Sequence, residues 1–190
     1  MRKRLTRDFF NRTTLTVAKQ LLGKFLVRRI GRKTTAGMIT KTEAYCGPRD
    51  LASHASRGRT PRTEIMFGPP GCAYIYLVYG MYHCFNIVTE RDGYPAAVLI
   101  RSVVLNLTTF QHSQECWNVV RGPGKVCRHF KIKKSLNKED LTTSKKLWLE
   151  DRGVQVKPSQ IKRGKRIGID YAGPYKNKLW RFILDIDKKS

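Results

Sequence analysis

Residues 74–88, YIYLVYGMYHCFNIV, carry the strongest fold signal in the chain. Aromatic and β-branched side chains dominate residues 74–79 and 82–88, which predicts a strand in each segment. The Tyr79-Gly80-Met81 segment between them predicts a hairpin tip, because glycine adopts the backbone conformations that tight turns need. Alternate side chains of a strand share a face, so the first two tyrosines are predicted to be presented together.

A second strand is predicted over residues 37–45, GMITKTEAY. In an extended chain successive side chains point to opposite faces of the sheet. Thr42 and Ala44 therefore share one face, while Glu43 and Tyr45 share the other.

Shorter signals predict the remaining elements. They are a helix over residues 14–22, a strand over 24–30, a loop region over 49–70, a central apolar strand over 96–101, a helical and polar region beyond residue 106, and a closing strand pair near 166–169 and 180–184. The sequence contains no recognisable internal repeat, linker or domain boundary. Residues 1–190 are therefore predicted to form a single domain. The predicted fold class is α+β, a compact single domain with a core of short, mostly antiparallel strands and peripheral helices.

The chain is strongly basic. Its 38 Lys and Arg against 14 Asp and Glu give a formal net charge of +24. Such a field attracts polyanions, and nucleic acid, an anionic membrane or an acidic protein are the candidates. A membrane is the weakest of these, because the uncharged residues 68–89 hold several polar side chains, and the first residues, MRKR, lead into no apolar segment. We therefore expect a soluble intracellular protein.

Cysteine usage predicts no disulfide framework and no metal site. The five cysteines lie at positions 46, 72, 84, 116 and 127, an odd number without paired spacing. They predict buried reduced thiols, and the nearby histidines are too scattered to specify zinc. We expect neither a metal nor another cofactor.

Glu43 has two interpretations. It is either a solvent-facing carboxylate on a strand or a functional acid. Its strand is otherwise mostly apolar or small, Tyr45 shares its face, and acids are scarce in the chain. A lone carboxylate among positive charges is expected to stay ionised and able to accept a proton from water.

The tyrosines are candidates for stacking on nucleobases, although aromatic residues are also common in ordinary strands. Tyr79 at the predicted turn is harder to assign to a core, and in a basic protein it is a candidate wedge between bases. Taken alone, His54 and His83 are more readily explained as structural than as functional residues. Arg101 ends an apolar strand and either belongs to a buried ion pair or projects into a site that needs a fixed guanidinium.

Several separated motifs, in order, resemble the alkyladenine (3-methyladenine) DNA glycosylase family. They are Leu21-Leu22-Gly23, Thr42-Glu43-Ala44-Tyr45, Gly47-Pro48, Asp50, Ala52, His54, Arg59-Thr60-Pro61-Arg62, Met66-Phe67, residues 74–86, residues 97–101, residues 122–127, Arg166-Ile167-Gly168 and Ala172-Gly173. The resemblance covers residues 15–182. After Arg101, however, this chain has Ser102-Val103-Val104-Leu105 where the family commonly has an Ala-x-Glu-Pro run.

The resemblance implies an enzyme that excises alkylated purines from duplex DNA, with roles for individual residues. These are Glu43 as catalytic base, Arg101 as the arginine that helps to hold the attacking water, Tyr45, His54 and Tyr76 as walls around the flipped base, Asn86 against the guanine amino group, and Tyr79 with Met81 in the minor groove. The implied partner is double-stranded DNA containing damaged purines. We expect a monomer without an obligate protein partner, working in the cytoplasm or nucleoid of a bacterium or the nucleus of a eukaryote.

Contacts to the DNA backbone are expected from Arg59, Thr60 and Arg62. The basic residues 121–138 are either a second contact surface or a solvated face. The expected reaction is monofunctional hydrolysis of an N-glycosidic bond, with deaminated purines as further substrates. The alternatives are a lyase with a Schiff-base lysine, a family-like scaffold without activity, and a non-enzymatic nucleic-acid binder, which would gain nothing from a carboxylate facing phosphate.

Overall fold

The computed structural model describes residues 2–105 and 118–186. Within these residues ten strands form one antiparallel sheet. The strands are β1 (Lys3–Arg4), β2 (Phe25–Ile30), β3 (Lys33–Tyr45), β4 (Ala73–Val78), β5 (Tyr82–Val88), β6 (Ala97–Leu105), β7 (Asn118–Arg121), β8 (Leu147–Asp151), β9 (Ile161–Gly164) and β10 (Arg181–Leu184).

Helices are short and lie outside the sheet. The α-helices are α1 (Arg7–Phe10), α2 (Thr14–Gln20) and α3 (Pro123–His129). Single 3₁₀ turns cover His54–Arg57, Glu64–Phe67, Lys134–Leu136, Pro158–Gln160 and Gly173–Asn177. The predicted antiparallel strand core is therefore confirmed, whereas the helical layer is smaller than the sequence suggested. None of the helices in residues 2–105 and 118–186 is long and apolar enough to cross a membrane.

The long strand β3 organises the sheet. The main strand order is β1-β8-β2-β3-β6-β5-β4, with β7 beside β6, and β10 between β3 and β9. The first half of β3 pairs with β2 and its second half with β10, on the edge opposite β6. The segment predicted as a strand over residues 37–45 is thus the C-terminal part of a longer element.

The hairpin predicted from residues 74–88 is confirmed. β4 and β5 pair from Ala73↔Ile87 to Val78↔Tyr82. At the tip, Tyr79 (φ 51°) and Gly80 (φ 69°) both have positive φ, and the Met81 amide donates to the Val78 carbonyl at 3.2 Å. Two central residues of positive φ are the pattern of a type I′ turn, which matches the twist of the flanking strands.

Two predictions for the C-terminal part of the chain are wrong. Residues 166–169 form no strand, and β10 pairs instead with β9, from Arg181↔Gly164 to Leu184↔Ile161. The region predicted as helical beyond residue 106 contains strands β7, β8 and β9 and the single α-helix α3 within residues 118–186, while residues 106–117 lie outside the described part. The strand predicted over residues 180–184 is confirmed as β10. In β9 the adjacent, exposed Lys162 and Arg163 hid the strand pattern.

The two predicted faces of β3 are distinct, and the face of Thr42 and Ala44 joins the core. Thr42 and Ala44 are fully buried, and the Thr42 hydroxyl donates to the Ala18 carbonyl of α2 at 2.8 Å. The opposite face carries a row of directly opposed residues across five strands, and directly opposed residues share a face. The row is Arg181, Glu43, Leu99, Asn86 and Tyr74. This face holds the candidate site.

Candidate active site

Glu43 is fully buried and holds three hydrogen bonds. Its Oε2 accepts from Arg101 Nη1 on β6 at 3.1 Å and from the Tyr45 hydroxyl at 3.1 Å. Its Oε1 accepts from the Ile167 amide at 3.0 Å. Donors from three separate segments therefore fix the carboxylate, and the interpretation as a solvent-facing strand residue is excluded.

The pKa of Glu43 results from opposing effects. Burial raises the pKa above its ordinary value, and this is the largest influence. The Arg101 charge and the hydrogen bonds from Ile167, Tyr45 and Arg101 lower it, but the net direction is upward. The sequence suggested positive neighbours that keep the acid ionised, and burial, which acts in the other direction, was not foreseen.

A cavity of about 480 Å³ lies beside this carboxylate. Its size is within the range of small-molecule sites. Predicted site residues among its walls are Tyr45, His54, Arg62, Tyr76, Tyr79, Asn86 and Arg101. Glu43 is not among the wall residues but contacts the walls through Tyr45, Arg101 and Ile167.

Aromatic rings form one side of the cavity. The ring centroids of His54 and Tyr76 are 4.6 Å apart with an edge-to-face angle of 81°, and those of Tyr74 and Tyr76 are 5.2 Å apart. The Arg62 guanidinium lies 5.1 Å from the centre of the Tyr76 ring. Alternation along β4 thus presents Tyr74 and Tyr76 together, as predicted.

His54 is held in its neutral form. Arg62 Nη2 lies 3.4 Å from His54 Nε2, and His54 Nδ1 lies 2.8 Å from the Tyr74 hydroxyl. A guanidinium can only donate, so Nε2 accepts and the proton is assigned to Nδ1, which donates to Tyr74. Burial, followed by the charges of Arg62 and Arg57, lowers the pKa of His54 to about 4.

Asn86 is buried at the cavity wall on β5. Its amide nitrogen donates to the Tyr74 carbonyl at 3.1 Å and to the Cys84 carbonyl at 3.4 Å. These bonds fix the orientation of the side chain relative to the hairpin.

The hairpin tip projects from the rim of the cavity. Tyr79 is 87% exposed and Met81 is 65% exposed. Tyr79 belongs to the cavity lining, while Met81 lies beside a smaller cavity next to α3. The positive-φ turn therefore presents a large ring to solvent next to the aromatic walls.

The remaining two predicted DNA contacts lie outside the cavity lining. Arg59 forms a two-point ion pair with Glu64, at 2.7 Å from Nε and 2.6 Å from Nη2. The Thr60 amide donates to the Thr63 hydroxyl at 2.8 Å, which closes the loop. Both residues are exposed.

Asp50 and Arg166 form a buried ion pair that carried no assigned role in the sequence. Arg166 Nη1 lies 2.5 Å from Asp50 Oδ2, and Nη2 lies 2.8 Å from Oδ1. The two residues are 116 positions apart, so no local pattern could have paired them. The hydrogen bond from the Ile167 amide could not be predicted from the sequence either, because every residue except proline has a backbone N–H.

Cysteines and acids give no further site in the described residues. There Cys72, Cys84 and Cys127 are buried free thiols and Cys46 is a half-buried one, while Cys116 lies outside that part of the chain. Within residues 2–105 and 118–186, no three His, Cys, Asp or Glu side chains are grouped so that they could hold a metal ion.

Comparison with known proteins gives full-length similarity. Residues 8–188 match the family described as Methylpurine-DNA glycosylase (MPG). A protein of Methanocella arvoryzae named "Putative 3-methyladenine DNA glycosylase" is 47% identical over 98% of this chain and 93% of its own length. Proteins of the same name are 44% identical in Desulfitobacterium hafniense, over 96% of both chains, and 41% identical in Clostridium perfringens, over 97% of both chains.

Proposed function

The chain belongs to the methylpurine-DNA glycosylase family, which confirms the resemblance seen in its motifs, and we propose that it removes alkylated purines from duplex DNA by hydrolysis. The observation that carries this proposal is the buried carboxylate of Glu43, held by Arg101 beside an aromatic-walled cavity. A protein that only bound nucleic acid would have no use for a fixed carboxylate surrounded by donors.

In the proposed reaction Glu43 accepts a proton from water, and the water oxygen bonds to C1′ of the flipped nucleotide. The bond between C1′ and the purine nitrogen breaks, and its electron pair leaves with the base. A single carboxylate suffices because an N3- or N7-alkylated purine is cationic and leaves as a neutral molecule, whereas most glycosidases need a second carboxyl as acid. General-base catalysis contributes about 10²–10⁴-fold.

The geometry supports Arg101 as the partner of the proposed general base, Glu43. Its guanidinium contacts Glu43 Oε2 and also belongs to the cavity wall. A water bound to both groups from the cavity side would be held at the cavity wall. The guanidinium also favours the ionised carboxylate, the form that can accept a proton.

The cavity walls support recognition of an extruded base. Tyr45, His54 and Tyr76 supply aromatic faces, and stacking on such a face contributes about 1–3 kcal/mol per base. A cationic base gains additional cation–π attraction. A neutral deaminated purine such as hypoxanthine lacks this attraction, and we propose it as the weaker class of substrate.

The exposed ring of Tyr79 supports extrusion of the base. Removing a nucleotide from the stack costs a few kcal/mol, and a ring inserted from the hairpin tip would replace part of the lost stacking. Met81 would contact the groove beside it. Arg59, Thr60 and Arg62 would bind backbone phosphates, with support from the net charge of +24.

The cellular role proposed is the first step of base excision repair. We propose that the chain acts as a monomeric single domain in the compartment that holds the DNA, without metal or cofactor. Its product would be an abasic site, because hydrolysis leaves the sugar–phosphate chain intact.

A base-release assay tests the function. Purified protein is incubated with duplex DNA containing 7-methylguanine or 3-methyladenine, and free base is measured by chromatography. We expect release by the wild-type protein and a loss of about 10²–10⁴-fold in Glu43→Gln, with lesion binding retained. Unchanged release in Glu43→Gln would remove Glu43 from the mechanism, and no release by the wild-type protein would leave a DNA-binding scaffold.

The same samples separate hydrolysis from a lyase reaction. A lyase lysine would form a Schiff base with the sugar, and borohydride would reduce it to a stable covalent complex. We expect no complex on a denaturing gel. A trapped band would replace the hydrolytic mechanism with the lyase alternative.

A further inference from the structure

The buried pair Asp50–Arg166 lies behind the candidate site. Both side chains are 0% exposed. Asp50 also accepts from the Cys46 amide at 3.0 Å and from the Ala52 amide at 3.1 Å. Burying two charges costs desolvation energy that the mutual attraction often only balances, so a buried pair is weak evidence for a role in stability.

The guanidinium of Arg166 holds β3 at the residue between Glu43 and Tyr45. Its Nη1 donates to the Ala44 carbonyl at 2.9 Å in addition to its bond with Asp50. The planar guanidinium offers five donors in a fixed arrangement, and an ammonium group cannot reproduce several directed bonds at once.

The same guanidinium lies against the Tyr45 ring. Its central carbon is 4.8 Å from the ring centre of Tyr45 and 5.0 Å from that of Trp180. Tyr45 also forms part of the cavity wall. Arg166 therefore supports from outside the cavity a ring that a flipped base would contact inside it.

Ile167, the residue after Arg166, contacts the site directly. The Ile167 amide donates to Glu43 Oε1 at 3.0 Å, directly after the anchored Arg166. A shift of residue 166 would displace the Tyr45 ring and this amide together. A displacement of about 1 Å in a catalytic geometry can cost about 10²-fold in rate.

We propose that Asp50 and Arg166 are positioning residues for base excision, which fix the Tyr45 wall and the Glu43 carboxylate relative to each other. This inference rests on the proposed function. Neither residue belongs to the cavity lining, and Asp50 acts by fixing the orientation of Arg166.

The pH dependence of the reaction distinguishes positioning from simple stabilisation. The Ile167 hydrogen bond lowers the pKa of Glu43 against the effect of burial, so a displaced amide would raise that pKa further. Other groups act on or lie beside Glu43 from its own strand, from β6, from β10 and from β5. They are Lys41, Tyr45, Arg101, Arg181 and Cys84. The variants below replace none of these five residues, and a displaced Tyr45 hydroxyl would raise the pKa of Glu43 in the same direction as the displaced amide.

The test uses the full chain with Arg166→Lys and Asp50→Asn. The matched control is Arg152→Lys, because Arg152 also pairs with a carboxylate, Glu150, at 2.9 Å and also lies over a ring, that of Phe25 at 4.4 Å. Arg152 is absent from the cavity lining. Single-turnover release of 7-methylguanine is measured from pH 5 to pH 8, with circular dichroism and binding of undamaged DNA as checks on folding.

For Arg166→Lys and Asp50→Asn we expect folded proteins that bind undamaged DNA normally, release base about 10²-fold more slowly and lose activity at a higher pH than the wild type on acidification. Arg152→Lys should keep the wild-type rate and profile. Wild-type rates and profiles in both test variants would overturn the inference, as would unfolding of both, which would make the pair structural. A wild-type protein without release would instead overturn the proposed function.

Discussion

Arg101 Nη1 lies 3.1 Å from Glu43 Oε2, across the neighbouring strands β6 and β3. Burial raises the pKa of Glu43, and the charge of Arg101 opposes this rise. The arginine therefore lowers the pH at which the buried acid ionises, in addition to any contact with water.

Replacing Arg101 by Gln should move the pH profile of base release. A general base works when ionised, so the rate falls as the pH falls through the pKa of Glu43. Without the cation this pKa rises, and the loss of activity should begin at a higher pH. The measurement is single-turnover release against pH, with the exposed Arg128→Gln on α3 as control; an unmoved profile would show that Glu43 is not the titrating group.

Replacing Tyr79 by Asn should distinguish the contribution of the aromatic ring to DNA binding from the contribution of the turn conformation to stability. Asn tolerates positive φ, and Asn-Gly is a preferred type I′ pair, so the hairpin should keep its stability. Loss of the ring should weaken binding to lesion-containing duplex by about 1–3 kcal/mol. Fluorescence anisotropy measures the lesion affinity, and thermal melting measures the stability. Equal lesion affinity in Tyr79→Asn and the wild type would show that the ring has no part in extrusion of the base.

His54 should make the protein less stable in mild acid. Its folded-state pKa is about 4, below its ordinary 6.5, so the unfolded chain binds a proton first as the pH falls. Stability is then fully present above about pH 6.5 and decreases toward pH 4. Between pH 7 and pH 5 we expect a loss of about 1–2 kcal/mol at this half-buried site.

Urea unfolding at the two pH values measures this effect. His54→Gln should lose less stability than the wild type over the same interval, whereas the exposed His129→Gln should behave like the wild type. An equal loss in His54→Gln would assign the acid sensitivity to other groups.

Replacing Glu64 by Gln should strengthen DNA binding. Arg59 is paired with Glu64 in an exposed two-point contact, and a carboxylate beside a proposed phosphate contact competes with the phosphate. Glu64→Gln should raise affinity for undamaged duplex, and Arg59→Ala should lower it and reduce the salt slope by about 1. Titrations at several salt concentrations measure both, and an unchanged slope in Arg59→Ala would exclude Arg59 from the phosphate contacts.

The sequence predicted those parts of the fold that depend on local signals. The β4–β5 hairpin was recognisable because alternating aromatics flank a turn with glycine at Gly80, and the two faces of β3 followed from period-two alternation around Glu43. β9 was missed because its four residues, Ile161–Gly164, include Lys and Arg at exposed positions.

The candidate site also contains residues that local sequence signals predicted and residues that they could not predict. Glu43, Tyr45 and Tyr76 were identifiable from strand alternation and motifs, and the structure brings them to one cavity region. Asp50 and Arg166 could not be paired, since they are 116 positions apart and meet only through the tertiary fold. The Ile167 contribution comes from its peptide N–H, which every residue except proline offers.

The peptide bond that restrains the acid belongs to residue 167, which is 124 positions after Glu43. During synthesis every residue up to Ile167 must therefore be made before this restraint can form. With Glu43 as the base, a truncated or half-made chain would carry the acid without its full set of donors. A catalytic acid restrained by all three donors would thus require synthesis to have passed residue 167.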